Sequence, residues 1–135
     1  MNRKIVIDTS VIIKLLNTKD EQNVEEARRV LDEALDGRIE LLAPEIAKYE
    51  IGNSLLKGKR LTVPEARIAL DAAYSLPIEF VAETKESALN TYKYALKFEL
   101  TYYDASFVSL ASHYGAALVT DNIKHQGKVR RVKVI

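Results

Sequence analysis

The stretch that decides the fold is Lys4-Ile5-Val6-Ile7-Asp8, near the amino-terminal end of the sequence. Its three consecutive β-branched residues form an uninterrupted apolar run, whereas a strand with one solvated face would alternate apolar and polar residues. Such a run is typical of a strand that is buried on both faces of a parallel sheet. The run at 116–120 repeats the pattern near the other end of the chain. We therefore expect two buried parallel strands, one followed by Asp8 and the other by Asp121.

Strands and helices are predicted to alternate along the rest of the chain. Further strands are expected at 39–43 and 78–81, with a basic edge strand at 129–134. Helices are predicted over 11–17, 24–35, 44–57, 64–74, 84–97 and 101–114. Thr9 or Ser10 is expected to cap the first helix, and Pro44 and Pro64 are expected to open two others. This alternation favours one domain, 1–135, with a parallel sheet between helical layers and a ligand site at the carboxyl ends of the strands.

The composition is that of a globular protein that needs no cross-links. The 135 residues include 47% apolar and 29% charged side chains and no cysteine, which excludes zinc–thiolate sites, thiol nucleophiles and disulfides. At this length roughly two thirds of the unfolded chain's surface can be buried, so the core needs no metal or disulfide. No apolar run approaches the ~20 residues of a membrane span, and no secretion signal is evident. We expect a soluble, cytoplasmic protein.

Basic residues are concentrated at the carboxyl-terminal end. Residues 1–120 carry 15 basic and 18 acidic side chains, whereas residues 121–135 carry five basic side chains and one acid. This end could steer a polyanion towards the protein. Alternatively, its lysines could protect an exposed edge strand from pairing with other chains.

Four acids stand where a cation-binding site could form. Asp8 and Asp121 follow the two buried strands, so both carboxylates are expected at the same edge of the sheet. Glu50 and Asp104 lie on predicted helices, and neither has a basic residue three or four positions away. Partly buried carboxylates without such partners are costly unless they keep a proton or bind a cation. Oxygen ligands without His or Cys favour Mg²⁺ or Mn²⁺, the ions of phosphodiester cleavage.

Each acid also has a purely structural interpretation. Asp8 could cap the following helix, and Asp104 could be favoured by the dipole at a helix N-terminus. Glu50 could lie exposed at a helix rim, and Asp121-Asn122 could form a turn. The four acids together favour the metal site more than any one of them does.

Four short motifs resemble those of PIN-domain nucleases, especially the VapC-type toxins of toxin–antitoxin pairs. They are Asp8-Thr9-Ser10-Val11, Tyr49-Glu50-Ile51-Gly52-Asn53-Ser54-Leu55, Tyr103-Asp104-Ala105 and Leu118-Val119-Thr120-Asp121-Asn122. They occur in the order of the family and span residues 8–122. The family commonly has its fourth acid two residues after the threonine, a position that Asn122 occupies here. Either Asp121 supplies that carboxylate through a shifted turn, or Asn122 supplies a neutral oxygen.

The resemblance implies a three-layer α/β/α sandwich with a central, mostly parallel sheet. It also implies an endoribonuclease that depends on Mg²⁺ or Mn²⁺ and cleaves single-stranded RNA. The catalytic and metal-binding residues would be Asp8, Glu50, Asp104 and Asp121. The partners that the resemblance implies are a second copy of the chain, as a homodimer, and a small VapB-like antitoxin.

Polar residues near the motifs are expected to support the acids and to bind RNA. Those expected to orient the carboxylates are Thr9, Ser10, Asn53, Thr120 and Asn122, although caps and turns use the same residue types. Those expected to contact the RNA backbone are Lys57, Lys59, Arg60 and Lys124. Tyr102 and Tyr103 could stack on unpaired bases or pack in the core.

Other functions fit the sequence less well. Phosphotransferases related to haloacid dehalogenases need a second acid two residues after the first, where this chain has Ser10. The five glycines form no cluster that could cradle a phosphate. Two alternatives stay open: a housekeeping RNA-processing nuclease of the same family, and a non-catalytic relative that binds RNA or protein.

Overall fold

Five parallel strands form one sheet in the computed structural model, which describes residues 2–121 and 132–134. In chain order the strands are β1 (Arg3–Ile7), β2 (Ile39–Pro44), β3 (Ile78–Val81), β4 (Ala117–Thr120) and β5 (Val132–Val134). Their spatial order is β3-β2-β1-β4-β5, and every neighbouring pair runs parallel. The strands β1 and β4 both lie inside the sheet, as their apolar runs predict.

Helices connect the strands and cover the sheet. They are α1 (Thr9–Leu16), α2 (Val24–Leu35), α3 (Ile46–Asn53), α4 (Val63–Ser75), α5 (Lys85–Phe98) and α6 (Tyr102–Tyr114). A π-helical turn, Ser54–Gly58, continues α3, and the N–H of Lys59 donates to the carbonyl of Ser54 at 2.9 Å. The predicted three-layer α/β/α sandwich is confirmed. None of the helices in the described part of the chain is long and apolar enough to cross a membrane.

The register of β1 against β4 brings the two acid-bearing strand ends together. Val6 pairs with Leu118, and the N–H of Asp8 donates to the carbonyl of Val119 at 2.9 Å. Val6 and Ile7 are fully buried, and burying one such side chain stabilises the fold by about 1.5–3 kcal/mol. Because Asp8 directly follows β1, the register of β1 against β4 sets the position of Asp8 relative to the end of β4.

Two boundaries near the sheet edge differ from the prediction. Pro44 does not open a helix but is the last residue of β2, and α3 begins at Ile46. Proline has no N–H to donate, but at this strand end the N–H of the next residue, Glu45, donates to the carbonyl of Val81 at 3.0 Å. A proline is therefore tolerated as the last residue of β2. The helix α1 begins at Thr9, with Asp8 at the N-cap position instead of Thr9 or Ser10.

The basic edge strand is confirmed in part. Backbone pairing of Val132–Val134 with β4 places β5 at one edge of the sheet. The remainder of the predicted strand, 129–131, lies outside the described residues, as do Asn122 and Lys124.

Candidate active site

Asp8 is held at the carboxyl edge of the sheet by two hydroxyl groups. It follows the last residue of β1 and is 6% exposed. The hydroxyls of Ser10 and Thr120 both donate to its Oδ2, at 2.7 and 2.8 Å. These bonds come from α1 and from the end of β4, so they fix the carboxylate from two directions.

Glu50 faces the same region from α3. The hydroxyl of Thr9 donates to its Oε1 at 2.8 Å. Burial raises the pKa of Glu50 above its ordinary value, and the negative charges of Asp8 and Asp104 raise it further, while the Thr9 hydrogen bond opposes them. The charges of Asp8 and Asp104 therefore both act on the carboxylate of Glu50.

Asp104 lies in the first turn of α6 and is half-buried. Its backbone N–H donates to the hydroxyl of Thr101, the N-cap residue, at 3.1 Å. The position is favourable for a carboxylate because the positive end of the helix dipole lies there. The cap thus fixes the first turn of α6, which carries this third acid.

Asp121 is placed at the rim, but its carboxylate has a counter-ion. Its Oδ2 lies 3.0 Å from the Nζ of Lys14, and its backbone N–H donates to the hydroxyl of Ser10 at 3.0 Å. Burial would lower the pKa of Lys14, but its hydrogen bonds to Asp121 and Glu21 and their negative charges raise it overall. Lys14 and Glu21 had no role in the sequence-based prediction. The available signal was a lysine inside the apolar run of α1.

The predicted supporting residues divide into two groups. Thr9, Ser10 and Thr120 contact the acids directly, whereas Asn53 is exposed at the last position of α3. Among the predicted RNA contacts, Lys57 and Arg60 are exposed.

Lys59 differs from the expected RNA contact. It is only 8% exposed, and its ammonium pairs with Glu21 at 2.7 Å and donates to the carbonyl of Lys19. The positive charge of Lys59 is therefore paired with Glu21 within the protein.

The aromatic residues before Asp104 have different surroundings. The Tyr102 hydroxyl donates to Glu83, which raises the pKa of Tyr102 to about 12. Tyr103 is 58% exposed. Both residues line a cavity of about 360 Å³ beside α5 and α6. Of the two, Tyr103 has the surface needed to stack on a base.

The donors at this edge suit a hard divalent cation. Asp8, Glu50 and Asp104 offer carboxylate oxygens, which Mg²⁺ and Mn²⁺ prefer. Within residues 2–121 and 132–134, no three His, Cys, Asp or Glu side chains are grouped as a ready-made metal cage. Mg²⁺ does not require one, because it typically binds one or two carboxylates and keeps several water molecules. The residues present therefore fit the ion.

The protein is an α/β/α sandwich with carboxylates at the carboxyl edge of a parallel sheet, and this combination is typical of the PIN domain. The family model of the PIN domain matches residues 5–131. The chain belongs to the PIN domain family. Within the family it is similar to Ribonuclease VapC3 of Pyrobaculum aerophilum, with 33% identity over 124 residues, 87% of this chain and 88% of that protein.

Solved structures show the same fold. The structure of VapBC2 from Rickettsia felis, bound to a DNA fragment from their promoter, matches with a TM-score of 0.70 and 16% identity, over 98% of this chain and 97% of that chain. The structure of PAE2754 from Pyrobaculum aerophilum matches with a TM-score of 0.67 and 24% identity, over 98% of this chain and 90% of that chain. At these identities the likeness concerns the fold alone.

Proposed function

We propose that the protein is a cytoplasmic, metal-dependent endoribonuclease that cleaves single-stranded RNA. The observation that supports the proposal is that hydroxyl groups orient the carboxylates of Asp8 and Glu50, while the charges of Asp8 and Asp104 both act on Glu50. The similarity to a protein named Ribonuclease VapC3 supports it independently.

Asp8 and Asp104 would hold the ion, directly or through water, with Glu50 beside them. A bound Mg²⁺ or Mn²⁺ supplies charge neutralisation at the phosphate and a lowered pKa for a bound water. Asn122 lies outside the described residues and the Asp121 carboxylate is bound to Lys14, so the proposal rests on the other three acids.

Glu50 is the residue that we assign as proton acceptor. Its raised pKa makes it a stronger base than an ordinary carboxylate. The attacking water would lose a proton to Glu50 as its oxygen bonds to phosphorus in line with the breaking bond to the 3′ oxygen. That oxygen then takes a proton from solvent, leaving a 5′-phosphate and a 3′-hydroxyl.

Exposed residues around the acids would hold the RNA. Lys57 and Arg60 are exposed just after the helix that carries Glu50, and we assign them to the backbone phosphates. Tyr103 precedes Asp104 and is exposed enough to stack on an unpaired base. Lys124 is assigned the same backbone role from its place in the sequence.

The partners that we propose are an antitoxin and a second copy of the chain. One structural relative is a VapBC complex, which supports a VapB-like partner for a toxin. For the homodimer, α5 presents Leu89, Tyr92 and Leu96 along one side, each 58–69% exposed. An exposed apolar stripe of this kind favours burial against another protein surface.

Cleavage of a mixed single-stranded RNA pool tests the proposed function. We expect cutting with Mg²⁺ or Mn²⁺, none with EDTA, and a loss of at least ~100-fold in Asp8→Asn with the fold intact. Asp36→Asn, at an exposed aspartate paired with Arg38, is the matched control and should cut normally. Undiminished cutting by Asp8→Asn would contradict the assignment, and RNA binding without cutting by the wild type would favour the non-catalytic alternative.

A further inference from the structure

Lys14 is only 1% exposed and contacts Asp121, the fourth acid predicted for the site. We propose that Lys14 is the permanent counter-ion of Asp121, so that, of the four acids, only Asp8, Glu50 and Asp104 bind the ion. Asp121 then supports the ion site through its backbone N–H, and its carboxylate does not bind the ion. This inference rests on the proposed function.

All three donors of the Lys14 ammonium are in use. They meet Asp121 Oδ2 at 3.0 Å, Glu21 Oε1 at 3.1 Å and the carbonyl of Gln22 at 2.5 Å. An ammonium group has three N–H bonds and no acceptor capacity, so this coordination is complete. Lys14 therefore has no donor left for an RNA phosphate.

The charges around Lys14 are balanced only when Asp121 takes part. Glu21 uses both oxygens, because its Oε2 lies 2.7 Å from the Nζ of Lys59. Lys14, Lys59, Glu21 and Asp121 form a cluster, here called the lysine cluster, with two positive and two negative charges. If Asp121 turned away to a metal ion, an excess of positive charge would remain at the buried ammonium groups next to that ion, which is unfavourable.

The other end of Asp121 faces the ion site. Its N–H donates to the hydroxyl of Ser10, which in turn donates to Oδ2 of Asp8. A replacement that keeps the backbone but removes the charge leaves this chain of hydrogen bonds in place. Asp121 is therefore a positioning residue, and its side-chain charge serves Lys14.

Mn²⁺ affinity, measured from the paramagnetic resonance signal of free Mn²⁺, separates the two roles of Asp121. We expect Asp121→Asn to change the dissociation constant less than about threefold, and Asp8→Asn to weaken binding at least about tenfold. Lys14→Met frees a carboxylate and removes a positive charge, so it should tighten binding about threefold or more. The matched control is Lys4→Met. Lys4 lies near the amino end of β1, away from the site, and pairs with Glu40 at 2.9 Å, so its replacement should leave the Mn²⁺ dissociation constant unchanged.

The outcomes distinguish the inference from the function on which it rests. A loss in Asp121→Asn as large as in Asp8→Asn, or weaker binding in Lys14→Met, would overturn the counter-ion role. A wild type that binds no Mn²⁺, or binding that is indifferent to Asp8→Asn, would overturn the proposed function itself.

The pairing of Lys14 with Asp121 is also measurable without metal, by urea unfolding. The double variant Lys14→Met/Asp121→Asn should be less destabilised than the sum of the two single variants, because the second change removes a group that has already lost its partner. Additive effects would contradict the pairing.

Discussion

The Thr9 hydroxyl positions the carboxylate that we assign as the base, and its removal isolates that effect. Thr9→Val keeps the shape of the side chain but removes the 2.8 Å hydrogen bond to Glu50. Loss of such an orienting contact typically lowers metal affinity or activity about 10–100-fold. We expect a fall of this size in the initial rate of RNA cleavage at saturating Mn²⁺. Thr9→Ser keeps the donor and should retain most of the rate, whereas equal losses in both variants would point to packing.

Glu50 should destabilise the metal-free fold at neutral pH. Burial and the charges of Asp8 and Asp104 raise the pKa of Glu50 in the folded state, so between the ordinary and the raised pKa the native protein binds more protons than the unfolded chain. Stability therefore falls as pH rises from the ordinary pKa of Glu through the raised one. Glu50→Gln has no charge to bury, so its urea midpoint should be higher at pH 7 and equal to the wild type at pH below about 4. A lower midpoint at pH 7 would contradict this account.

The candidate site acids stand out in the sequence, whereas the lysine that pairs with Asp121 does not. Asp8 follows a buried strand, and Glu50 and Asp104 lack basic neighbours along their helices, which are local patterns. The pairing of Lys14 with Asp121 joins residues more than a hundred positions apart, and it depends on where the loop after α1 places Glu21. The same loop buries Lys59, which local sequence indicates only as a basic residue in a turn.

At the scale of elements, the N-cap of α6 connects helix stability with the site. Thr101 accepts from the N–H of Asp104, and Thr84 accepts in the same way from the N–H of Ser87 at the start of α5. Thr101→Ala and Thr84→Ala should each reduce the free energy of unfolding by about 0.5–2 kcal/mol. Only Thr101→Ala should also weaken Mn²⁺ binding, since of α5 and α6 only α6 carries a site acid. Equal Mn²⁺ affinities in the two variants would show that the cap does not position Asp104.

The existence of the elements was easier to predict than their ends. Apolar runs and helical spacing are sufficient to place the described strands and helices, and Thr84 and Thr101 mark the starts of α5 and α6. The prediction for Pro44 was wrong because proline is suited both to a first helical turn and to the end of a strand. At this strand end the N–H of the next residue makes the hydrogen bond to the neighbouring strand. The sequence predicts an uninterrupted helix over 44–57, whereas Ser54–Gly58 forms a π-helical turn that precedes the buried Lys59.

For the whole molecule, the lysine cluster links α1, the loop before α2, the residue after the π-helical turn and the end of β4. Glu21→Gln leaves Lys59 without its carboxylate partner and weakens the hold on Lys14. Breaking a buried pair by removing one partner costs about 3–5 kcal/mol, whereas loss of an exposed pair costs at most about 1 kcal/mol. Urea unfolding should therefore show a large loss for Glu21→Gln and a small one for Glu40→Gln, which breaks the exposed pair with Lys4. Two equally small losses would contradict a structural role for the cluster.

The fold class was predicted from the alternation of strands and helices, because a parallel sheet requires crossover connections between its strands. The structure confirms this fold class, since all neighbouring strands run parallel. The site is where that topology brings distant parts of the chain to one edge of the sheet. The most direct test of the account is the anomalous scattering of a crystal soaked with Mn²⁺. We predict a peak enclosed by Asp8, Glu50 and Asp104, with Asp121 still bound to Lys14. A peak elsewhere, or no peak at these acids, would contradict the proposed active site.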